Sequence, residues 1–194
     1  MKKLSSIMMI GLAALAFQAC KSSTTASSTT DSTSTTTKDT TTKTVAAAAP
    51  VSKDDSTFVV TAANDGMAEV NAGKMAQQKA TNPRVKSFAD MMVTDHTKAG
   101  DELAALAKTK NITLPSAPNA DSQKAADELS KKSGKAFDKA YVNAMVDGHK
   151  NAVKLFTDAS NNCKDADLKA FATKTLPTLK MHLDSINAIH DAMK

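Results

Sequence analysis

The sequence predicts an all-α domain, built as an up-down four-helix bundle with a short extra helix between helices two and three. Composition is the first indication, since aromatic residues make up only 4% of the chain and there is no Trp. β-Branched residues are also sparse after residue 56 and never alternate over the length of a strand. Residues 56–194 are enough for one core and too few for two.

Helix one is predicted over residues 57–80, where small and apolar residues recur at helical spacing. Asp55 or Ser56 is expected to cap its N-terminus, because a short polar side chain can accept hydrogen bonds from first-turn N–H groups. Glu69 lies within the apolar face, an unexpected place for a solvated carboxylate. That face comprises Phe58, Ala62, Gly66, Gly73 and Ala76.

Helix two is predicted to begin at an Asn-Pro pair and to run to about residue 110. Asn82 is the expected cap and Pro83 occupies the first helical position. Asp95 and His96 straddle the apolar stripe, each about 50° from its centre at ~100° per residue. The stripe comprises Val85, Phe88, Met92, Ala99, Leu103 and Leu106.

The longer connection after helix two contains the extra element. Pro115 and Pro118 interrupt the chain, and Asp121 is expected to cap a short helix over residues 122–132. The other connections between helices are short, which favours antiparallel neighbours.

Helix three is predicted over residues 135–160, with His149 on the widened side of its apolar face. Cys163 follows in a predicted loop, where we expect an exposed and incidental thiol. If Cys20 carries lipid, Cys163 is the only remaining thiol and an intramolecular disulfide is excluded.

Helix four is predicted to begin after Asp165 and to continue towards Met193. Pro177 lies inside it and is expected to kink it. His182 and His190 flank its core face on opposite sides. His190 stands near the C-terminus, where the helix dipole favours an imidazole.

Four polar residues near the middle of different helices form the candidate site: Glu69, His96, His149 and His182. Counted from the loop that joins their helices at ~1.5 Å per residue, Glu69 and His96 differ by only ~4 Å in height along the bundle. His149 and His182, counted in the same way, differ by ~8 Å. Three imidazoles and one carboxylate could hold a mononuclear Zn, Cu, Mn or Fe ion. A buried Glu–His network that specifies helix register is the alternative, as are unrelated solvent-facing histidines. Asp95 is either a partner that orients an imidazole or a solvated residue.

The N-terminus predicts an export signal over residues 1–19, with a basic start and an apolar run at 7–17 that is too short to span a membrane. The sequence Phe-Gln-Ala-Cys at 17–20 resembles a bacterial lipoprotein cleavage box, so we expect lipid on Cys20. An ordinary cleaved signal with an incidental cysteine is the alternative. Lys21 in place of Asp favours, by resemblance to known sorting patterns, the outer membrane facing the periplasm.

Residues 20–55 are then the lipidated cysteine and a Ser/Thr-rich linker, which lacks the apolar surface needed to order it and acts as a spacer. The formal charge of +5 includes two lysines of the signal segment, and Arg84 is the only arginine. Nucleic-acid binding is therefore not expected. No nucleophile motif, phosphate loop or zinc-protease helix is present, which favours a protein that is not an enzyme.

Several motifs in a fixed order resemble the bacterial domain of unknown function 4142, over residues 57–192. The resemblance implies a ferritin-like bundle and a location in the cell envelope, and it implies no activity. The motifs are Phe58, Ala62-Ala63, Gly66, Glu69-Val70, Gly73, Val85 to Ala89, Met91 to His96, Phe137 to Val142, the His149 segment, Leu176-Pro177 and His182-Leu183.

The ferritin-like comparison does not extend to a di-iron centre. Di-iron bundles use Glu-x-x-His motifs on two helices. The positions three before the bundle histidines are Val93, Val146 and Leu179, so a carboxylate-bridged di-iron site is not expected.

Three function classes are compatible with these features. The first is a non-enzymatic envelope lipoprotein, held to the membrane by its lipid, with an interaction or stress-protection role and a protein partner that the sequence does not identify. The second is a metal-binding or metal-dependent redox protein that uses the four polar residues. The third is a binder of a small ligand in the bundle core.

Overall fold

The structure, a computed structural model, describes residues 50–194. The predicted signal segment, Cys20 and most of the linker lie outside the described residues. Within residues 50–194 the chain is all-helical, as predicted, and contains no strand. None of the helices within this described range combines the length and apolar character needed to cross a membrane. The described residues form five helices: α1 (Lys53–Lys79), α2 (Pro83–Thr109), α3 (Ala120–Ser130), α4 (Gly134–Asn162) and α5 (Ala166–Asp191).

The four long helices contact one another as two hairpins. α1 packs against α2 and α4 packs against α5, while α1–α4 and α2–α5 contacts join the hairpins. The short α3 packs on α1 and α4. Asn82 caps α2 as predicted, and α5 begins after Asp165 as predicted, with Asp165 as its cap; each side-chain oxygen accepts a hydrogen bond from the first turn.

The core consists of two apolar clusters. One contains Phe88, Met92, Phe137, Tyr141, Met145 and Ile186, and the other contains Phe58, Leu103, Ala152, Phe156, Phe171 and Leu179. His96 lies between Met92 and Leu103 along α2, and the histidines of α4 and α5 lie between the clusters in the same way. The candidate site is therefore a polar layer between two apolar clusters.

The start of α1 differs from the prediction. The helix begins at Lys53, and Ser52 is its N-cap. Asp55 was expected to cap α1, but its carboxylate instead accepts hydrogen bonds from the backbone N–H groups of Lys164 (3.0 Å) and Asp165 (2.8 Å). Asp55 is only 3% exposed, so it anchors the α4–α5 connection to the first turn of α1.

Asp138 makes the equivalent contact at the other connection. Its carboxylate accepts hydrogen bonds from the backbone N–H groups of Thr81 (3.0 Å) and Asn82 (2.9 Å), and it is 1% exposed. Each hairpin thus carries an aspartate near the start of its first helix, and the carboxylate of that aspartate accepts hydrogen bonds from backbone N–H groups in the turn of the other hairpin.

These contacts reveal an internal repeat of the helical hairpin. The same separation of 83 residues relates Asp55 to Asp138 (138 minus 55) and Asn82 to Asp165 (165 minus 82). The sequence Val-Lys-Ser-Phe-Ala at 85–89 likewise corresponds to Leu-Lys-Ala-Phe-Ala at 168–172. The repeat is visible in the sequence once the structure supplies the separation.

Two further expectations are corrected. The short helix α3 begins at Ala120 with Asn119 as its cap, because the Asn119 side chain and not that of Asp121 accepts the hydrogen bond from Ser122 N–H. Cys163 is buried, not exposed, since it caps the C-terminus of α4 and its side chain packs in the cluster around Phe58. Burial, with the charge of Asp55, raises the pKa of the Cys163 thiol to about 11.

Candidate metal centre

Three histidines from three helices converge at the centre of the domain. His96 comes from α2, His149 from α4 and His182 from α5, and their ring centroids lie 5.3–5.6 Å apart. All three are buried. Each offers a nitrogen that lies within 4.8 Å of a nitrogen of the other two.

Two of the rings are oriented by hydrogen bonds to their remaining nitrogen. His149 Nδ1 lies 2.9 Å from the carbonyl oxygen of Met145, one turn earlier on α4. A carbonyl only accepts, so Nδ1 carries the proton and Nε2 keeps a free lone pair. His182 Nε2 lies 2.9 Å from Asp95 Oδ2, which leaves Nδ1 as the free nitrogen of that ring.

Glu69 approaches the centre from α1. Its Oε2 lies 3.1 Å from His96 Nδ1, and its Oε1 lies 3.5 Å from His149 Nδ1. A Cβ at Gly148 would come within 3.3 Å of Glu69 Oε1, so the glycine leaves space for the carboxylate. Glu69 thus contacts the Nδ1 atoms of two rings, and the Nε2 atoms of both remain available.

The three remaining ring nitrogens are His96 Nε2, His149 Nε2 and His182 Nδ1. All are buried, and none has a hydrogen-bond partner within the described part of the chain. A buried polar atom without a partner costs about 1–3 kcal/mol, and three in one place call for a common partner. A metal ion that accepts all three lone pairs meets this need, and a carboxyl or carbonyl group beside the far nitrogen of each ring is the arrangement usual for metal-bound histidine.

The donor set fits a transition metal after a small contraction. Three nitrogens that share one ion at about 2.0–2.1 Å lie only about 3.3–3.6 Å apart in tetrahedral or trigonal geometry. In the structure the three ligand nitrogens lie within 4.8 Å of one another. To bind one ion, each nitrogen must therefore move by several tenths of an ångström, which small χ rotations of the histidines can supply.

The electrostatics of the centre keep the imidazoles neutral. Burial and the neighbouring histidines lower the pKa of His96 to about 3. Burial lowers the pKa of His149 to about 4, and burial lowers that of His182 although Asp95 acts in the opposite direction. Burial and the charge of Asp65 raise the pKa of Glu69 to about 8. Neutral imidazole is the form that binds metals, so the centre needs no deprotonation of histidine at neutral pH.

The structure brings the four predicted residues together and places Asp95 beside them. His190 lies apart, half-buried near the end of α5, with Nδ1 3.5 Å from Asp191. Sequence reasoning overlooked two neighbours. The Phe88 ring lies steeply inclined to the rings of His149 and His182, with centroids 6.1 and 6.4 Å apart. Tyr141 has a buried hydroxyl with no partner within residues 50–194. Phe88 lies eight residues before His96 on the apolar stripe of α2, a helical spacing that could have identified it.

Comparison with protein families matches the chain to a domain of unknown function, DUF4142, over residues 40–189. The match covers most of the chain, which therefore belongs to the DUF4142 family. No curated protein gives a match.

Solved structures with the same helical fold are distant in sequence. A DUF305 fragment from Deinococcus radiodurans superimposes with a TM-score of 0.66 at 10% identity, covering 74% of this chain and 99% of that one. CopM in its Cu(II)-bound form gives a TM-score of 0.62 at 16% identity, covering 72% of this chain and 97% of that one. CopM in its Cu(I)-bound form gives 0.61 at 16% identity, with 71% and 96% covered.

Proposed function

We propose that this protein is a non-enzymatic envelope lipoprotein that binds one copper ion through His96, His149 and His182. The donor atoms are His96 Nε2, His149 Nε2 and His182 Nδ1. The observation that carries the proposal is that these three buried nitrogens converge without a hydrogen-bond partner within the described residues. A network that only specified helix register would be expected to satisfy them internally.

Copper is the ion that the donor set favours. Imidazole ligands suit Zn, Cu, Fe and Ni, and among divalent ions the affinity of a nitrogen site is highest for Cu²⁺. CopM, which shares the helical fold, has been solved in Cu(II)-, Cu(I)- and silver-bound forms. Glu69 and Asp95 lie outside the three donors and hold their rings, so the protein supplies three neutral ligands and leaves room for a further one.

The proposed setting is the periplasmic face of the outer membrane. The basic start, short apolar run and Cys20 support a lipid anchor, and the Ser/Thr-rich linker supports a tethered domain. We further propose that the four long helices form an up-down bundle of the ferritin-like type. A buried copper site in such a tethered domain would sequester the metal, which is a form of stress protection that needs no catalysis.

Metal content measures the proposal directly. The full chain, solubilised in mild detergent, is equilibrated with Cu, Zn, Mn and Fe together, dialysed, and analysed by elemental mass spectrometry. We expect about one equivalent of copper, and its loss from His96→Gln and His149→Gln variants that remain helical by circular dichroism. His190→Gln changes the same residue type away from the centre and should keep the metal. Wild-type protein with no metal above background, or copper retained by both centre variants, would refute the proposal.

A further inference from the structure

A cavity of about 620 Å³ adjoins the histidine centre. His96 and His182 form part of its wall, together with Glu69 and Asp95. Most of the remaining wall is apolar, with Phe156 and Phe171 as its aromatic members. The volume is within the range of pockets that hold small organic molecules, about 300–1,000 Å³.

The internal repeat explains why the cavity is there. The separation of 83 residues assigns each residue of the centre an equivalent in the other hairpin. His149 corresponds to Gly66 and His182 to Ala99. His96 corresponds to Leu179 and Glu69 to Ala152. All four of these equivalents line the cavity. Both sets of positions draw on both hairpins, so the cavity lies where exchange of the two repeats would place the metal centre. Glycine and alanine at three of those positions leave the space that larger side chains would fill.

The cavity is also accessible from solvent. Asn71, Lys74 and Thr97 line it and are exposed. A Cβ added at Gly66 or Gly100 would meet no other atom within 4 Å. The cavity therefore opens to the surface, and the two glycines leave free space along its wall.

We propose that this cavity binds a small organic molecule with an apolar body and one donor atom that coordinates the metal. The apolar wall would hold the body, and His96 and His182 place the metal beside the same space. The coordinating donor rests on the proposed metal function, whereas the apolar body depends only on the cavity.

4-Phenylimidazole is the probe for the complete site, because it joins an apolar ring to one metal-binding nitrogen. Indole, which is apolar and has no basic nitrogen to coordinate a metal, is the probe for the cavity alone, and calorimetry measures its binding. Gly66→Leu is the blocking variant, since the leucine enters open space in the cavity and leaves the three histidines unchanged. Ala170→Leu adds the same side chain at an exposed position of α5 that does not line the cavity, and it is the matched control.

In titrations of the full chain, copper-loaded wild type should bind 4-phenylimidazole at least tenfold more tightly than the metal-free form. Gly66→Leu should lower that affinity at least tenfold and keep one equivalent of copper, while Ala170→Leu matches wild type. If copper binds but Gly66→Leu leaves the affinity unchanged, the ligand site is refuted and the metal function stands. If no metal binds but wild type binds indole and Gly66→Leu does not, the coordinating donor is refuted together with the metal function, and only the apolar cavity remains.

Discussion

Asp95 Oδ2 lies 2.9 Å from His182 Nε2, across the imidazole ring from the buried Nδ1 that has no partner within the described residues. The carboxylate fixes the tautomer of the ring, because an acceptor on Nε2 places the proton there and the lone pair on Nδ1. It also increases the electron density of the ring, which strengthens a bond to a metal.

Removal of this contact should weaken metal binding without unfolding the protein. For Asp95→Ala we expect a copper affinity about 10–100-fold lower, which is the usual effect of losing such a partner. Asp95→Asn keeps an oxygen acceptor and should retain most of the affinity. Competition with a chelator of known affinity measures both, and equal affinities for wild type and Asp95→Ala would contradict the assigned role.

A methyl group at Gly73 should destabilise the α1–α2 hairpin. Its Cβ would lie 2.9 Å from Val93 Cγ2 and 3.3 Å from the carbonyl oxygen of Ala89, and the backbone cannot yield easily. We expect Gly73→Ala to lower the free energy of unfolding by about 1–3 kcal/mol. Gly66→Ala, on the same helix but in open space, should instead raise it by about 0.5–1 kcal/mol. Urea denaturation compares the two, and a stabilising Gly73→Ala would refute the close approach.

The helices were predictable because their signals are local. Asn82 with Pro83, and Asp165 before an apolar stripe, specify caps that involve only neighbouring residues. The start of α1 was misplaced because Asp55 has the chemistry of a cap but serves a turn more than a hundred residues away. Cys163 was misplaced for a related reason, since a residue at a helix end can still be turned into the core.

The proximity of Glu69 and the three histidines was predictable, whereas the orientation of their rings was not. Glu69 and the three histidines interrupt apolar faces at similar heights, which is information that the helical period carries. The nitrogen that each ring leaves free depends on contacts such as His182 with Asp95, which span distant parts of the chain. The cavity was hidden because Gly66 and Ala99, the equivalents of two histidines, look like ordinary helix-packing residues.

The buried carboxylate of Asp55 should make stability depend on pH in acid. Burial alone would raise its pKa, but hydrogen bonds from the backbone of Asp165 and Lys164 and from Ser52 together lower it below its ordinary value of 3.8. A lowered folded-state pKa means that the stabilisation is present in full above the unfolded value and is lost as pH falls through the folded value.

Asp55→Asn tests this dependence, because it resembles the protonated acid at every pH. We expect the variant to be less stable than wild type at pH 7 and the difference to shrink by pH 2–3. Urea unfolding at each pH measures it. A difference that is constant over this range would show that the charge of Asp55 contributes nothing to its contacts with the turn.

The hydroxyl of Tyr141 should be dispensable for folding. It is buried and lacks a hydrogen-bond partner within residues 50–194, and burial together with the charge of Glu69 raises the pKa of Tyr141 far above its ordinary value. Tyr141→Phe removes a buried polar atom whose desolvation is uncompensated, so we expect no loss of stability and a gain of up to about 1–2 kcal/mol. Thermal denaturation measures it, and a loss of more than about 1 kcal/mol would show that the hydroxyl has a partner.

Copper should stabilise the folded protein through the same three nitrogens. An ion that binds only the folded state adds about 4.1 kcal/mol when its free concentration is a thousand times Kd. Because each histidine comes from a different helix, the bound ion would join α2, α4 and α5 at the layer between the two apolar clusters. We therefore expect copper to raise the Tm of wild type and of His190→Gln by several degrees, and to leave that of His149→Gln unchanged. A scanning-calorimetry titration with a chelator control measures these shifts, and an equal rise in all three proteins would place the bound copper elsewhere.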